Sequence, residues 1–282
     1  MNFCSDRAEI FVPDGLPPEE ALGRTTHLAI GAHQDDIEIM AAGPILECFQ
    51  QPERWFTGVV VTDGGGAPRS GLYEHYTDEE MRAVRAKEQR KAAVVGEYAA
   101  LALLNYPSQA VKDPTNRQPV EDVAALLQAA RPEYVYTHNL ADKHDTHVGV
   151  AVKVIAAIRS LPVSERPQKL FGCEVWRDLD WMVDSDKVTF DLCEHENLQA
   201  ALLGVFDSQI AGGKRYDLAS MARRRANATY FESHGVDETS SMSFAMDLTP
   251  LILHADLDVE GYVQEFIQRF LEDVTERLKR VR

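Results

Sequence analysis

The chain has 282 residues, 45% of them hydrophobic and 26% charged, which are globular values and enough chain for one large α/β domain or two small ones. A formal net charge of -16 counts against nucleic acid and anionic membrane surfaces as partners, because both are bound through lysine and arginine. Cys4, Cys48, Cys173 and Cys193 have no C-x-x-C spacing, so reduced thiols are expected rather than a zinc knuckle or a disulfide framework.

The first residues, "MNFCSDRAEIFVPDG", are acidic and lack the apolar core of a secretion signal, and no run approaches the roughly 18 apolar residues of a membrane span. A cytoplasmic location is the expectation. The first strand is predicted at "HLAIGA" (27–32), the second at "FTGVVVTD" (56–63). A helix follows over 78–98. Its start, "TDEE", has Thr77 and Glu80 at capping-box spacing, and Met81, Val84, Glu88 and Ala92 lie on related faces.

A third strand, "LALLNY" (101–106), precedes the helix "VEDVAALLQAA", which follows Pro119 and stops before Pro132. Next come a fourth strand, "YVYTH" (134–138), a helix over 146–160, and a fifth strand, "LFGCEVW" (170–176). Helices near 195–207 and 215–232, a strand in "SMSFAMDL" (241–248) and a closing helix from about 258 complete the pattern. The basic tail "ERLKRVR" is read as a last helical turn complementing its own dipole. No repeat or linker interrupts the chain, so residues 1–282 are expected to form one domain, with a core over about 25–180 and a C-terminal elaboration over about 181–282.

Short β-rich runs alternating with helices specify a Rossmann-like three-layer αβα fold around a mainly parallel sheet. Its usual strand order is 3-2-1-4-5, which makes the first and fourth strands neighbours. Ligands bind at that switch point, beyond the carboxyl ends of the strands. His33, Asp35 and Asp36 lie just past the first strand; His138, Asn139, Asp142, His144 and His147 lie just past the fourth.

A catalytic zinc site typically has three histidine or carboxylate ligands and one open position for water. His33, one of the two aspartates and one histidine of "HDTH" make a His₂Asp set, and the other aspartate is then free to take a proton from a water activated there. Each motif alone has an ordinary structural alternative, "DD" as a helix N-cap above all. Together at a switch point they point to metal-assisted hydrolysis.

"AIGAHQDDIEIMAAG", "VVVTDGGG", "RAKEQRKAAVVG" and "KHDTHVGVA" resemble, in order over about residues 27–155, the motifs of the PIG-L/LmbE-like zinc-dependent N-acetylglucosaminyl deacetylases. The resemblance implies removal of an N-acetyl group from an amino sugar or sugar conjugate, with one zinc ion per chain held by His33, Asp36 and His147. It makes Asp35 the general base, gives His144 the oxyanion or the leaving amine, and sets Arg85 near the substrate. Three positions depart from the family pattern. Gln34 stands for the usual proline, Thr146 for the aspartate before the last histidine, and Asp142 where some members carry an aromatic hydroxyl.

The remaining motifs count against rival chemistry. "TDGGGAPRSG" lacks the lysine and hydroxyl of a P-loop, and "GAHQDDIEIMAAG" lacks G-x-G-x-x-G, so no nucleotide is expected and the glycines are read as a loop beside the site. The arginines of "MARRRANATY" are read as solvated faces, and His27, His75, His195, His234 and His254 as structural or surface residues. The alternatives are an esterase or phosphoesterase, which would want a second metal about 4 Å away, and a catalytically idle sugar-binding relative.

Overall fold

A computed structural model describes residues 1–282. Its strands are β1 (Glu9–Phe11), β2 (His27–Gly31), β3 (Phe56–Thr62), β4 (Ala100–Tyr106), β5 (Tyr134–His138), β6 (Lys169–Cys173), β7 (Lys187–Asp191) and β8 (Met242–Asp247). The helices of the first half are α1 (Pro18–Gly23), α2 (Asp36–Met40), α3 (Ala42–Cys48), α4 (Asp78–Val95), α5 (Ser108–Lys112), α6 (Gln118–Ala130) and α7 (Asp145–Ser160). Those of the second are α8 (Glu196–Gly204), α9 (Asp207–Ile210), α10 (Tyr216–Tyr230), α11 (Thr249–Leu253) and α12 (Val259–Arg280).

All eight strands form one sheet in the order β1-β4-β3-β2-β5-β6-β8-β7. Its centre, β4-β3-β2-β5-β6, is parallel and is the expected 3-2-1-4-5 arrangement. Three antiparallel strands extend it, β1 on one edge and β8 with β7 on the other. Of these only β8 was expected, because β1 has three residues and the half-buried β7 lacks an apolar run.

Both faces are covered, so successive residues of one strand serve two cores. Leu28 and Ile30 pack with α1, α6 and α7, whereas Ala29 packs with α2, α3, α4 and α8. The capping box forms as expected: Thr77 Oγ1 accepts from the Glu80 N–H at 3.3 Å, and Glu80 Oε2 accepts from the Thr77 N–H at 2.8 Å. The helix expected over 195–207 is instead two, with the chain bending at Phe206, whose buried ring packs into the core beside Ile37 and Leu202.

The arginines of α10 need a further correction. Arg225 is exposed and paired with Glu196, but Arg224 is buried and donates to the Glu38 carbonyl at 2.8 Å and the Ile39 carbonyl at 3.2 Å. A charge read as solvated therefore satisfies carbonyls of α2 that would otherwise be buried without partners. No helix is long and apolar enough to cross a membrane.

Candidate active site

β2 and β5 are adjacent, and their exits diverge: β2 leads into α2 on one face, β5 into α7 on the other. The crevice between them brings together the two segments singled out in the sequence. His33 Nδ1 lies 3.2 Å from Asp36 Oδ2 and 3.2 Å from His147 Nε2, and His147 Nε2 lies 3.3 Å from Asp36 Oδ2. These three residues form the one group of histidine, cysteine or carboxylate side chains able to hold a metal ion.

The two aspartates have different surroundings. Asp36 starts α2; its Oδ2 accepts from the His33 N–H at 2.6 Å and lies 3.5 Å from His138 Nε2. Burial opposes its charge, yet the imidazoles of His147, His138 and His33 hold its pKa well below the carboxylate range. Asp35 occupies the N-cap position of α2 but its side chain caps nothing. Burial pushes its pKa well above the usual value, the Arg85 guanidinium 3.5 Å away opposes that, and the Asp36 charge adds to it. Neighbouring carboxylates driven apart in this way are suited to different jobs.

Asp35 is held in a conformation that costs energy. Its φ is +98°, a region a non-glycine residue adopts at about 1–3 kcal/mol. Its N–H donates to Gln89 Oε1 at 3.1 Å, and Gln89 Nε2 donates to Glu38 Oε1 at 2.7 Å, which also accepts from the Tyr98 hydroxyl. Burial pushes Glu38 up to about 8, so at neutral pH it stays mostly protonated.

Arg85 is buried: it donates to the Gln34 carbonyl and, at 3.4 Å, to the Gly64 carbonyl. Gly64 has φ +67°, and a Cβ there would meet Gln34 Oε1 at 2.2 Å and Arg85 Nη1 at 3.0 Å. The glycine loop is thereby pressed against the site. Gln34 is fully buried and its amide donates to the Thr62 carbonyl, tying the loop to β3 where the family has a proline.

In "HDTH", His144 is the N-cap of α7, and its Nδ1 accepts from the Thr146 N–H at 3.3 Å. In the neutral ring the proton therefore sits on Nε2. Burial lowers its pKa, and the charges of His147 and His33 lower it further, so the ring is a neutral donor. Asp145 is exposed and does not replace the aspartate missing at Thr146.

Asp142 is an organiser of the exit loops. Its Oδ1 accepts from the His144 N–H at 2.9 Å and its Oδ2 from the Trp176 N–H at 3.0 Å. Oδ2 also lies 3.7 Å from His147 Nδ1, too long for a hydrogen bond but close enough to attract it. Burial opposes charge on His147, but Asp36 and Asp142 together raise its pKa.

A cavity of about 400 Å³ opens over these groups. His33, Asp35, Asp36, Arg85, His144 and Thr146 line it, and Trp176 and Tyr216 form a wall that sequence reasoning missed. Beyond that wall lies a second space of about 230 Å³, bounded by Trp176, Tyr216, Lys214, Arg223 and Glu174. His138 was also left without a role. It is buried, accepts from the Ala32 N–H at 2.8 Å and stacks on His147 with centroids 3.9 Å apart, fixing that ring from behind.

Residues 28–158 match the PIG-L family, described as GlcNAc-PI de-N-acetylase. That stretch, a little under half of the chain, is similar to the family's domain. The PIG-L match covers all the site residues named above from β2 to α7. Over 135 residues the chain is 28% identical to the uncharacterized deacetylase YaiS of Escherichia coli K12, covering 48% of this chain and 69% of that protein. Among solved structures it is similar to the N,N'-diacetylchitobiose deacetylase of Pyrococcus horikoshii, with TM-score 0.63 and 18% identity over 84% of this chain and 88% of that one.

It is similar also to the A40926 pseudoaglycone deacetylase Dbv21, with TM-score 0.58 and 15% identity over 79% and 97%. GalB, a 4-carboxy-2-hydroxymuconate hydratase of Pseudomonas putida KT2440, has TM-score 0.58 and 13% identity over 79% and 96%. The same fold therefore serves hydration as well as deacetylation, and the activity has to be argued from the site.

Proposed function

We propose that the protein is a zinc-dependent N-deacetylase that hydrolyses the acetamide of an N-acetylated amino sugar or sugar conjugate. The observation that carries this reading is the division between Asp35 and Asp36: adjacent carboxylates, one facing three imidazoles and the other facing the cavity beside an arginine.

The donor set fits a metal. Two imidazole nitrogens and a carboxylate oxygen converge within 3.2–3.3 Å of one another, and two imidazoles with a carboxylate suit zinc. His33, Asp36 and His147 would hold the ion, with Asp142 behind His147 in the place of an orienting carboxylate. When bound, zinc supplies Lewis acidity, making a water easier to deprotonate and the acetyl carbonyl easier to attack.

The protein's own groups do the rest. Asp35 takes the proton of the attacking water, its raised pKa making it a stronger acceptor, while Arg85 and Gln89 fix its position. His144 offers its Nε2 proton to the oxyanion as negative charge develops on the carbonyl oxygen. The amine then leaves after collecting a proton, for which the carboxyl of Asp35 is the available source. Trp176 and Tyr216 provide flat walls for the sugar ring, and the space beyond them accommodates the remainder of a conjugate.

A single ligand group argues against a two-metal phosphoesterase. The test is the purified chain with zinc against a panel of N-acetylated sugars, reading free amine. Zinc-dependent amine release from at least one of them is expected; ligand binding without turnover by any would favour the idle sugar-binding alternative.

A further inference from the structure

The closing helix α12 is seated along its first half only, as far as Phe270. Asp258 caps it through the Gly261 N–H at 2.7 Å, the Tyr262 hydroxyl donates to the Asp247 carbonyl at 2.6 Å, Phe266 is buried, and Arg269 pairs with Asp186 at 2.5 Å. From Phe270 to Arg280 no side chain is buried, and the last tie to the body is Phe270 edge-on to Trp181 with centroids 6.3 Å apart. Yet Ile267, Phe270, Leu271, Val274 and Leu278 recur at three- and four-residue spacing, so they line one side of the helix, and all five are exposed.

Such a stripe needs a cover. A free helical segment of fewer than about 12–15 residues is marginal in water, and an exposed apolar band bordered by charge marks an interaction surface. The charge on α12 identifies what fits. Residues 258–265 hold three acidic and no basic side chains, net -3; residues 276–282 hold four basic and one acidic, net +3. Laid antiparallel on a copy of itself, the helix sets each acidic start against a basic end, twice, under a two-fold axis near Leu271. A parallel copy would oppose like charges. The rest of the chain is strongly acidic, so two protomers attract here against a general repulsion.

We propose that α12 is a homodimerisation element, two copies pairing antiparallel through Ile267, Phe270, Leu271, Val274 and Leu278. The basic last turn then serves the partner's helix as well as its own dipole.

The test is sedimentation equilibrium of the full chain across micromolar concentrations. The wild type should have twice the 31.5 kDa chain mass. Leu271→Glu with Val274→Glu places charge in an apolar seam and should weaken association by about 100-fold or more, while circular dichroism keeps the signal of the folded body and loses at most that of the uncovered second half of α12. Lys279→Glu with Arg280→Glu should also give monomer, and adding Glu260→Lys with Glu265→Lys should restore the dimer; in a parallel arrangement the first two changes would instead relieve repulsion between like basic ends and strengthen association. A wild-type monomer, a dimer indifferent to the Leu271 and Val274 changes, or failure of the charge exchange to restore it would each overturn the proposal.

Discussion

Asp142 Oδ2 stands 3.7 Å from His147 Nδ1, while the other nitrogen of the same ring stands 3.3 Å from Asp36 Oδ2. One imidazole thus lies between two carboxylates. If Asp36 is a ligand and Asp142 its outer support, Asp142→Asn should lower zinc affinity by about 10- to 100-fold with the fold intact. Competition against a chromophoric chelator measures this. Unchanged affinity would reduce Asp142 to the tether of Trp176 and His144.

His144 and His147 stack with centroids 4.6 Å apart, but only His147 turns a nitrogen toward Asp36. His147→Ala should empty the metal site. His144→Ala should keep the metal and lose about 10²–10³ in turnover, the usual cost of removing an oxyanion donor. Metal analysis beside turnover separates the two; an empty site in His144→Ala with a full one in His147→Ala would reverse the assignment.

Gln89 links the strained backbone of Asp35 to Glu38. Gln89→Leu leaves an N–H and a carboxyl without that partner, at about 1–3 kcal/mol for each buried group stranded. The expected result is a lower unfolding midpoint and a fall in turnover at unchanged metal content. A destabilised variant with wild-type turnover would show that Asp35 holds its place without Gln89.

Glu174 sits below the second cavity, accepting from Asn227 at 2.6 Å and from the Leu179 N–H at 3.1 Å. Burial raises its pKa above the ordinary carboxylate value, against the opposing charge of Arg223. The folded state thus binds this proton more tightly than the unfolded state does. Its contribution to stability is full below the unfolded pKa and declines as pH rises through the folded one. Glu174→Gln cannot titrate, so its stability relative to wild type should improve as pH rises across that window. Midpoints of both proteins at acidic and mildly alkaline pH measure this, and a constant difference would contradict it.

The five parallel strands were legible because each is an apolar run bounded by turn residues, and their order follows from crossover geometry. The convergence of the segments after β2 and β5 followed from that order, while the choice of Asp36 and His147 within them came from the family resemblance. What periodicity hides is a polar side chain buried for a purpose. On α4 the inward face carries Arg85 and Gln89 beside Met81, so a search for apolar spacing passes over the residues that hold Asp35. Trp176, Tyr216 and Lys214 share no motif and meet only through the fold, and Arg224 reads as one of three surface charges until α10 is laid across α2.

The central claim is that two adjacent, chemically identical side chains do different work, and metal content measured beside turnover in Asp35→Asn and Asp36→Asn tests it most directly. Asp36→Asn should lose zinc, with activity partly recovered in excess metal, because a neutral amide replaces the anion that faces three imidazoles. Asp35→Asn should keep a full complement of zinc and lose about 10²–10⁴ in turnover, the usual contribution of a general base. Equal loss of zinc in both variants, or near wild-type turnover in Asp35→Asn, would contradict the account.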